Sequence, residues 1–459
     1  MSRDNVILGP PSELASPISP RRLDDDIYRP LESFPTWRWW IAISVTGSLA
    51  MLFGYCVWIT VSKGIGTWGN NQPVGWAFAI TNFVFWIGIG HAGTLISAIL
   101  YVLRQTWRTA ISRFSEAMTV FAVFVALQFP LFHTGRPWKA MFWLIPYPND
   151  MSVYQNFRSP LEWDVFAVGT YALVSIMFWY IGLIPDLASA RDRAVDPVRK
   201  FLYGLASLGW VGSARAWQHY EKGYILFAGL ATALVISVHS IVSFDFAVAF
   251  LPGWHSTIFP PYFVAGAILS GFAMVATLVI IMRKMFRLSH VITTTHVELM
   301  NKIIIVTSLM VGYSYVLEVF MSWYCGREVE WFGTITRAFG SYAWAYWLTI
   351  LCNVLFPQLF WIPAVRRSAW ITWPIVVLVN LGMWLERFVI IVTGLYRDAL
   401  PSSWWVYRPT WIDLGLLAGS FGVFLTFVLL FCRFLPTVSA SEMKAIQPGA
   451  QPAAGGEHD

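Results

Sequence analysis

Read for hydrophobicity alone, the chain divides into ten apolar stretches separated by polar ones. They lie at about 37–61, 74–103, 114–133, 163–185, 223–250, 260–283, 299–324, 338–361, 370–394 and 411–434. Each has about the 20 residues an α-helix needs to cross the hydrocarbon core of a bilayer. Backbone groups in lipid must bond within their own segment, so apolar runs of this length predict helices. The pattern predicts an all-α membrane domain of ten spans over 37–435, between polar tails at 1–36 and 436–459. The second and fifth stretches are long enough to tilt or to project past the bilayer. Most of both tails, about 1–30 and 437–459, reads as disordered or partner-bound. The segment 196–222 alternates apolar and basic residues, as in a helix lying on a membrane surface.

Composition agrees with the pattern. The chain is 57% hydrophobic and 12% charged, against about 25% charged in soluble domains. A net charge of +6 spread over 459 residues is no footprint of nucleic-acid binding. Its distribution says more. With the N-terminus inside, 22 of the 31 Lys and Arg fall on the inner side and 8 on the outer, with Arg387 inside a span. Basic residues favour the cytoplasmic side, so both termini are expected there. No apolar core of a cleavable signal peptide opens the chain. Cys56, Cys325, Cys352 and Cys432 are too scattered for an iron–sulfur or c-type haem motif. Neither HExxH nor GxSxG, P-loop or GxGxxG occurs in a suitable context. No metal site is expected.

Ionisable residues inside spans are expensive and therefore candidates for function. His133 ends the third span, Asp164 opens the fourth, and His239 and Asp245 lie in the outer half of the fifth. His255 follows in the next outer loop. His239 and Asp245 are six residues apart, roughly 9 Å along a helix and on different faces. Deeper lie His91, Glu116, Glu298, Glu318, Glu386 and Arg387. Each has a structural alternative. His91, among Gly88, Gly90 and Gly93, suits an interhelical hydrogen bond as well as a proton relay. Glu318 and Arg387 suit a buried ion pair. Asp164 suits a helix cap, and Arg136 suits snorkelling to headgroups. No span carries the paired histidines of a di-haem cytochrome b; His91 with His239 leaves a single haem open. Quinol oxidation needs an apolar slot with His or carboxylate groups to take two protons, and the outer group has those types.

The stretches "FPLFHTGRPW", "NFRSPLEWDVFAVGTY", "HSIVSFDFA" and "PGWHSTIFPPYFVAGAI" resemble the NrfD/polysulfide-reductase family of membrane subunits. Within it they are most like the ActC-type subunits of bacterial alternative complex III. The resemblance covers about 37–435. It implies two four-helix bundles, about 74–250 and 260–394, with one flanking helix at each end of the chain. It implies a quinol site in the first bundle near the periplasm, with menaquinol the expected species, and no haem or iron–sulfur cluster bound by this chain. It implies an iron–sulfur/molybdopterin-like periplasmic partner, c-type cytochrome subunits, a homologous membrane subunit and a terminal oxidase as partners, in the bacterial inner membrane. Carried over by motif, His133, Asp164 and Asp245 are the expected catalytic residues, with His239 beside them. Arg136 is expected to tune their charge or fix the loop. Trp138, Trp143 and Trp254 are expected to close the site or dock the iron–sulfur partner. A proton path is expected through His91, Glu116, Glu318, Glu386 and Arg387. The alternatives are a polysulfide- or dimethyl-sulfoxide-type reductase anchor, a proton-coupled transporter, and an anchor whose polar cluster has no role.

Overall fold

The computed structural model describes residues 19–138, 160–397 and 400–446. Lys139, Trp143 and Arg158 lie outside the described residues. Among those described there is no strand. Ten helices are long and apolar enough to span: α1 Trp37–Lys63, α2 Phe78–Val102, α3 Ser112–His133, α4 Pro160–Arg193, α5 Ala214–Ala247, α6 Phe259–Met285, α7 Thr294–Tyr324, α8 Ala343–Trp361, α9 Ala369–Leu395 and α10 Trp411–Phe434. All ten apolar stretches are therefore helical. At 34 residues each, α4 and α5 are roughly 50 Å long. They outreach the ~30 Å core and end among charged residues.

Helices α2–α5 pack in a ring, each on the next and α5 back on α2, and α6–α9 do the same. The rings meet along α2 and α6, with α9 also against α2. The flanking helices α1 and α10 pair with each other, although they lie at opposite ends of the spanning domain, and rest on α3. Helix α2 widens into a π-helical turn at Leu95–Ile99, and α8 does so at Leu351–Leu355. Such turns free backbone groups and redirect side chains.

The tails depart from expectation. Pro20–Glu32 is a helix, and Leu23, Ile27, Tyr28 and Leu31 bury one face of it. Those positions repeat at helical spacing, but three aspartates and three arginines among them lower the mean hydropathy enough to hide the stripe. Ser439, Ala440 and Met443 are buried as well, and Lys444 pairs with Asp24 at 2.7 Å. The tails thus close one end of the first bundle together. Of the segment 196–222, Pro197–Ala206 is a helix with no buried residue, whereas Ala214 onward belongs to α5.

Candidate functional site

At the end away from the tails, α3 finishes at His133, α4 starts at Pro160 and α5 finishes at Ala247. The antiparallel packing of α4 on α5 brings the first turns of one beside the last turns of the other. Asp164 and Asp245 meet there, with their carboxyls side by side. Asp164 is 8% exposed. The buried Oδ1 of each aspartate receives no donor among the described residues. Asp164 is the fifth residue of α4, past the capping position, so the cap alternative does not apply. Electrostatics distinguishes the two: the start of α4 stabilises negative charge at Asp164, and the carbonyls ending α5 oppose it at Asp245.

His133 lies at the same end of the neighbouring helix α3. Its ring stacks on Trp68, with centroids 5.9 Å apart and planes at 28°, and its buried Nδ1 has no partner among the described residues. Arg136, Trp138 and His255 are exposed at this end. Arg136 forms no ion pair among the described residues. Trp254 is only 3% exposed, donates to the Ile390 carbonyl of α9 at 2.8 Å and packs edge-on against Phe246. It ties the bundles together and leaves nothing for a peripheral subunit to grip.

His239 lies deeper, fully buried, with neither ring nitrogen partnered among the described residues. Its ring meets that of His91 edge-on, with centroids 4.4 Å apart and planes at 65°. No macrocycle fits between rings so close and so tilted, which removes the single-haem alternative. His91 donates from Nδ1 to the Ile87 carbonyl at 2.6 Å, stacks on Tyr171 of α4 and approaches the Val235 carbonyl of α5. It therefore spans three helices of the first bundle.

The other buried charges are closed. Glu116 accepts from Arg113 and from Tyr224, both at 2.8 Å. Arg113 continues to the Gly182 carbonyl at 2.6 Å and to Asp186 at 3.3 Å. A side chain at Gly182 would overlap the Arg113 guanidinium, so the missing Cβ is what admits it. In the second bundle Glu318 and Arg387 are not a pair. Arg387 binds its own neighbour Glu386 at 2.6 Å, and Tyr315 donates to the same carboxylate. Glu318 binds Arg337, from the surface helix Glu328–Phe339. The pairing was illegible because Arg337 lies outside every apolar stretch. Glu298 is held by Arg366 at 2.9 Å, Arg367 at 2.7 Å and Lys302 at 3.5 Å. Trp68 was missed too: it stands in a polar loop, and nothing local links it to His133.

These features define a polytopic helical membrane subunit with a polar site at one end of its first bundle. Residues 66–398 match the family described as Polysulphide reductase, NrfD, and the chain belongs to that family. It is 22% identical over 447 residues to a putative membrane subunit of dimethyl sulfoxide reductase from Halobacterium salinarum, covering 91% of this chain and 96% of that protein. It is 22% identical over 241 residues to a subunit of the selenate reductase of Mesobacillus selenatarsenatis, covering 50% of this chain and 54% of that one.

Proposed function

We propose that this chain is the quinol-binding membrane subunit of a respiratory quinol:acceptor oxidoreductase of the alternative complex III kind. It sits in the cytoplasmic membrane with both tails inside, as the distribution of Lys and Arg favours. The observation that carries this is the Asp164–Asp245 pair, two neighbouring carboxyls with no cation partner among the described residues, at the outer end of the first bundle beside the helix that ends in His133. Converting a quinol to a quinone removes two electrons and two protons. The protons need acceptors held at the hydroxyls. A carboxyl pair sharing one proton can take up a second and pass one on. The open Nδ1 of His133 is a further acceptor. The electrons leave through an iron–sulfur partner on the outer side, then through c-type cytochromes to a terminal oxidase. Menaquinol is the quinol assigned. For proton movement across the membrane, the His91–His239 pair is the candidate that the packing leaves open.

The relatives named as dimethyl sulfoxide and selenate reductase subunits favour a second reading, in which the same quinol chemistry feeds a reductase. The two differ in the electron acceptor. Multihaem c cytochromes in the complex purified through this chain select the first; a molybdopterin catalytic subunit selects the second. Both fall if Asp164→Asn and Asp245→Asn leave quinol oxidation unchanged in an intact complex.

A further inference from the structure

The loop between α1 and α2 carries a side chain that the site does not yet account for. Trp68 is 4% exposed. One face lies along the His133 ring, at 5.9 Å and 28°, and its edge meets Phe132 at 6.2 Å. The indole Nε1 donates to Thr60 Oγ1 at 3.0 Å, and Thr60 donates to the Cys56 carbonyl at 2.9 Å. A stacked face and an anchored edge leave the indole one orientation.

The loop is held from the far end of the spanning domain. Asp413, in the first turn of α10 and 1% exposed, accepts from the Gly69 N–H at 2.8 Å and the Thr410 N–H at 2.9 Å. Thr410 Oγ1 donates to the Thr67 carbonyl at 3.1 Å. At Gly69 a Cβ would overlap the Arg408 carbonyl oxygen, so the two backbones touch there. The residues on either side of Trp68 are thus bonded to the start of α10.

A histidine acting as a base is ordinarily oriented by a hydrogen bond at its second nitrogen. Among the described residues His133 has no hydrogen bond at either ring nitrogen, so nothing of that kind orients it. We propose that Trp68 is the positioning residue for His133, and that Asp413 holds Trp68 in place, so that the flanking pair α1–α10 sets the geometry of a site in a bundle it does not belong to. The assignment rests on His133 being part of the quinol site.

The test uses the intact purified complex and measures kcat and KM for quinol across pH. A misaimed base costs turnover before binding. Trp68→Leu is therefore expected to lower kcat about tenfold, short of the ~10²–10⁴ a general base supplies. KM should stay within about twofold, because the quinol slot itself is unchanged. The pH dependence that His133→Ala abolishes should flatten in Trp68→Leu and return in Trp68→Phe, which restores an aromatic face. Asp413→Asn should shift kcat the same way by about threefold, as a small geometric error would. If Trp68→Leu does not assemble, Thr60→Val carries the test, since it removes only the indole's acceptor; an unchanged kcat and pH profile there overturns the proposal. Normal kcat and pH profile in Trp68→Leu with an inactive His133→Ala also overturns it and spares the quinol site. Full activity in His133→Ala overturns both.

Discussion

The two bundles treat buried charge differently. In the spans of the second, all three carboxylates meet a cation: Glu298 with Arg366 and Arg367, Glu318 with Arg337, and Glu386 with Arg387. The tail end of the first follows the same rule, with Arg113 between Glu116 and Asp186. Its opposite end does not. There Asp164 and Asp245 face each other and His133 keeps an open Nδ1 among the described residues, as His239 does with both nitrogens deeper in the bundle. Burying an uncompensated polar group costs about 1–3 kcal/mol in proteins, and a charge costs more. Among the described residues the fold closes its other deep carboxylates and leaves these open, which is what the proposed quinol site needs.

That division can be broken by mutation. Asp164→Asn or Asp245→Asn should lower quinol oxidation by about 10²-fold or more, the scale of a lost proton acceptor. The melting temperature of the complex should stay near wild type, because neither aspartate forms an ion pair among the described residues. A large drop in stability with little loss of turnover would place these residues with the structural group. Arg387→Met should do the opposite. It strands Glu386 in the bundle core and should cost about 3–5 kcal/mol, read by thermal unfolding in detergent. Adding Glu386→Gln should recover much of that loss, and no recovery would mean that the pair does more than balance charge. Glu298→Gln is milder, since Arg367 and Lys302 are well exposed; about 1 kcal/mol or less is expected from the same melts. A small stability effect is likewise expected of His239→Phe. It keeps a ring of similar shape and breaks no bond seen among the described residues, so under about 1 kcal/mol should be lost. A larger loss would show that His239 is partnered in the resting protein.

Much of the architecture is legible along the chain because lipid imposes a one-dimensional rule. A segment that must satisfy its own backbone bonds across ~30 Å of hydrocarbon announces itself by length and apolarity, wherever its neighbours are. The ten spans follow from that rule alone. So does the suspicion attached to Asp164 and Asp245, since a carboxylate in an apolar run is costly at any packing. The helix Pro20–Glu32 escaped because its buried stripe is diluted by charge.

What hydropathy cannot carry is which side chain answers which. Glu318 and Arg387 look like partners only as the two opposite charges of one region. Packing sends Glu318 to Arg337 on a surface helix and leaves Arg387 to Glu386 beside it. Likewise the amino-acid order puts Asp164 and Asp245 in separate helices, and only the antiparallel seat of α4 on α5 makes them one site. Trp68 reaches His133, and Asp413 reaches Gly69, by the same route. Membrane insertion is an equilibrium of single segments with lipid, so residue types decide it. Pairing inside the bundle depends on which helix faces meet, and that exists only once the helices have assembled.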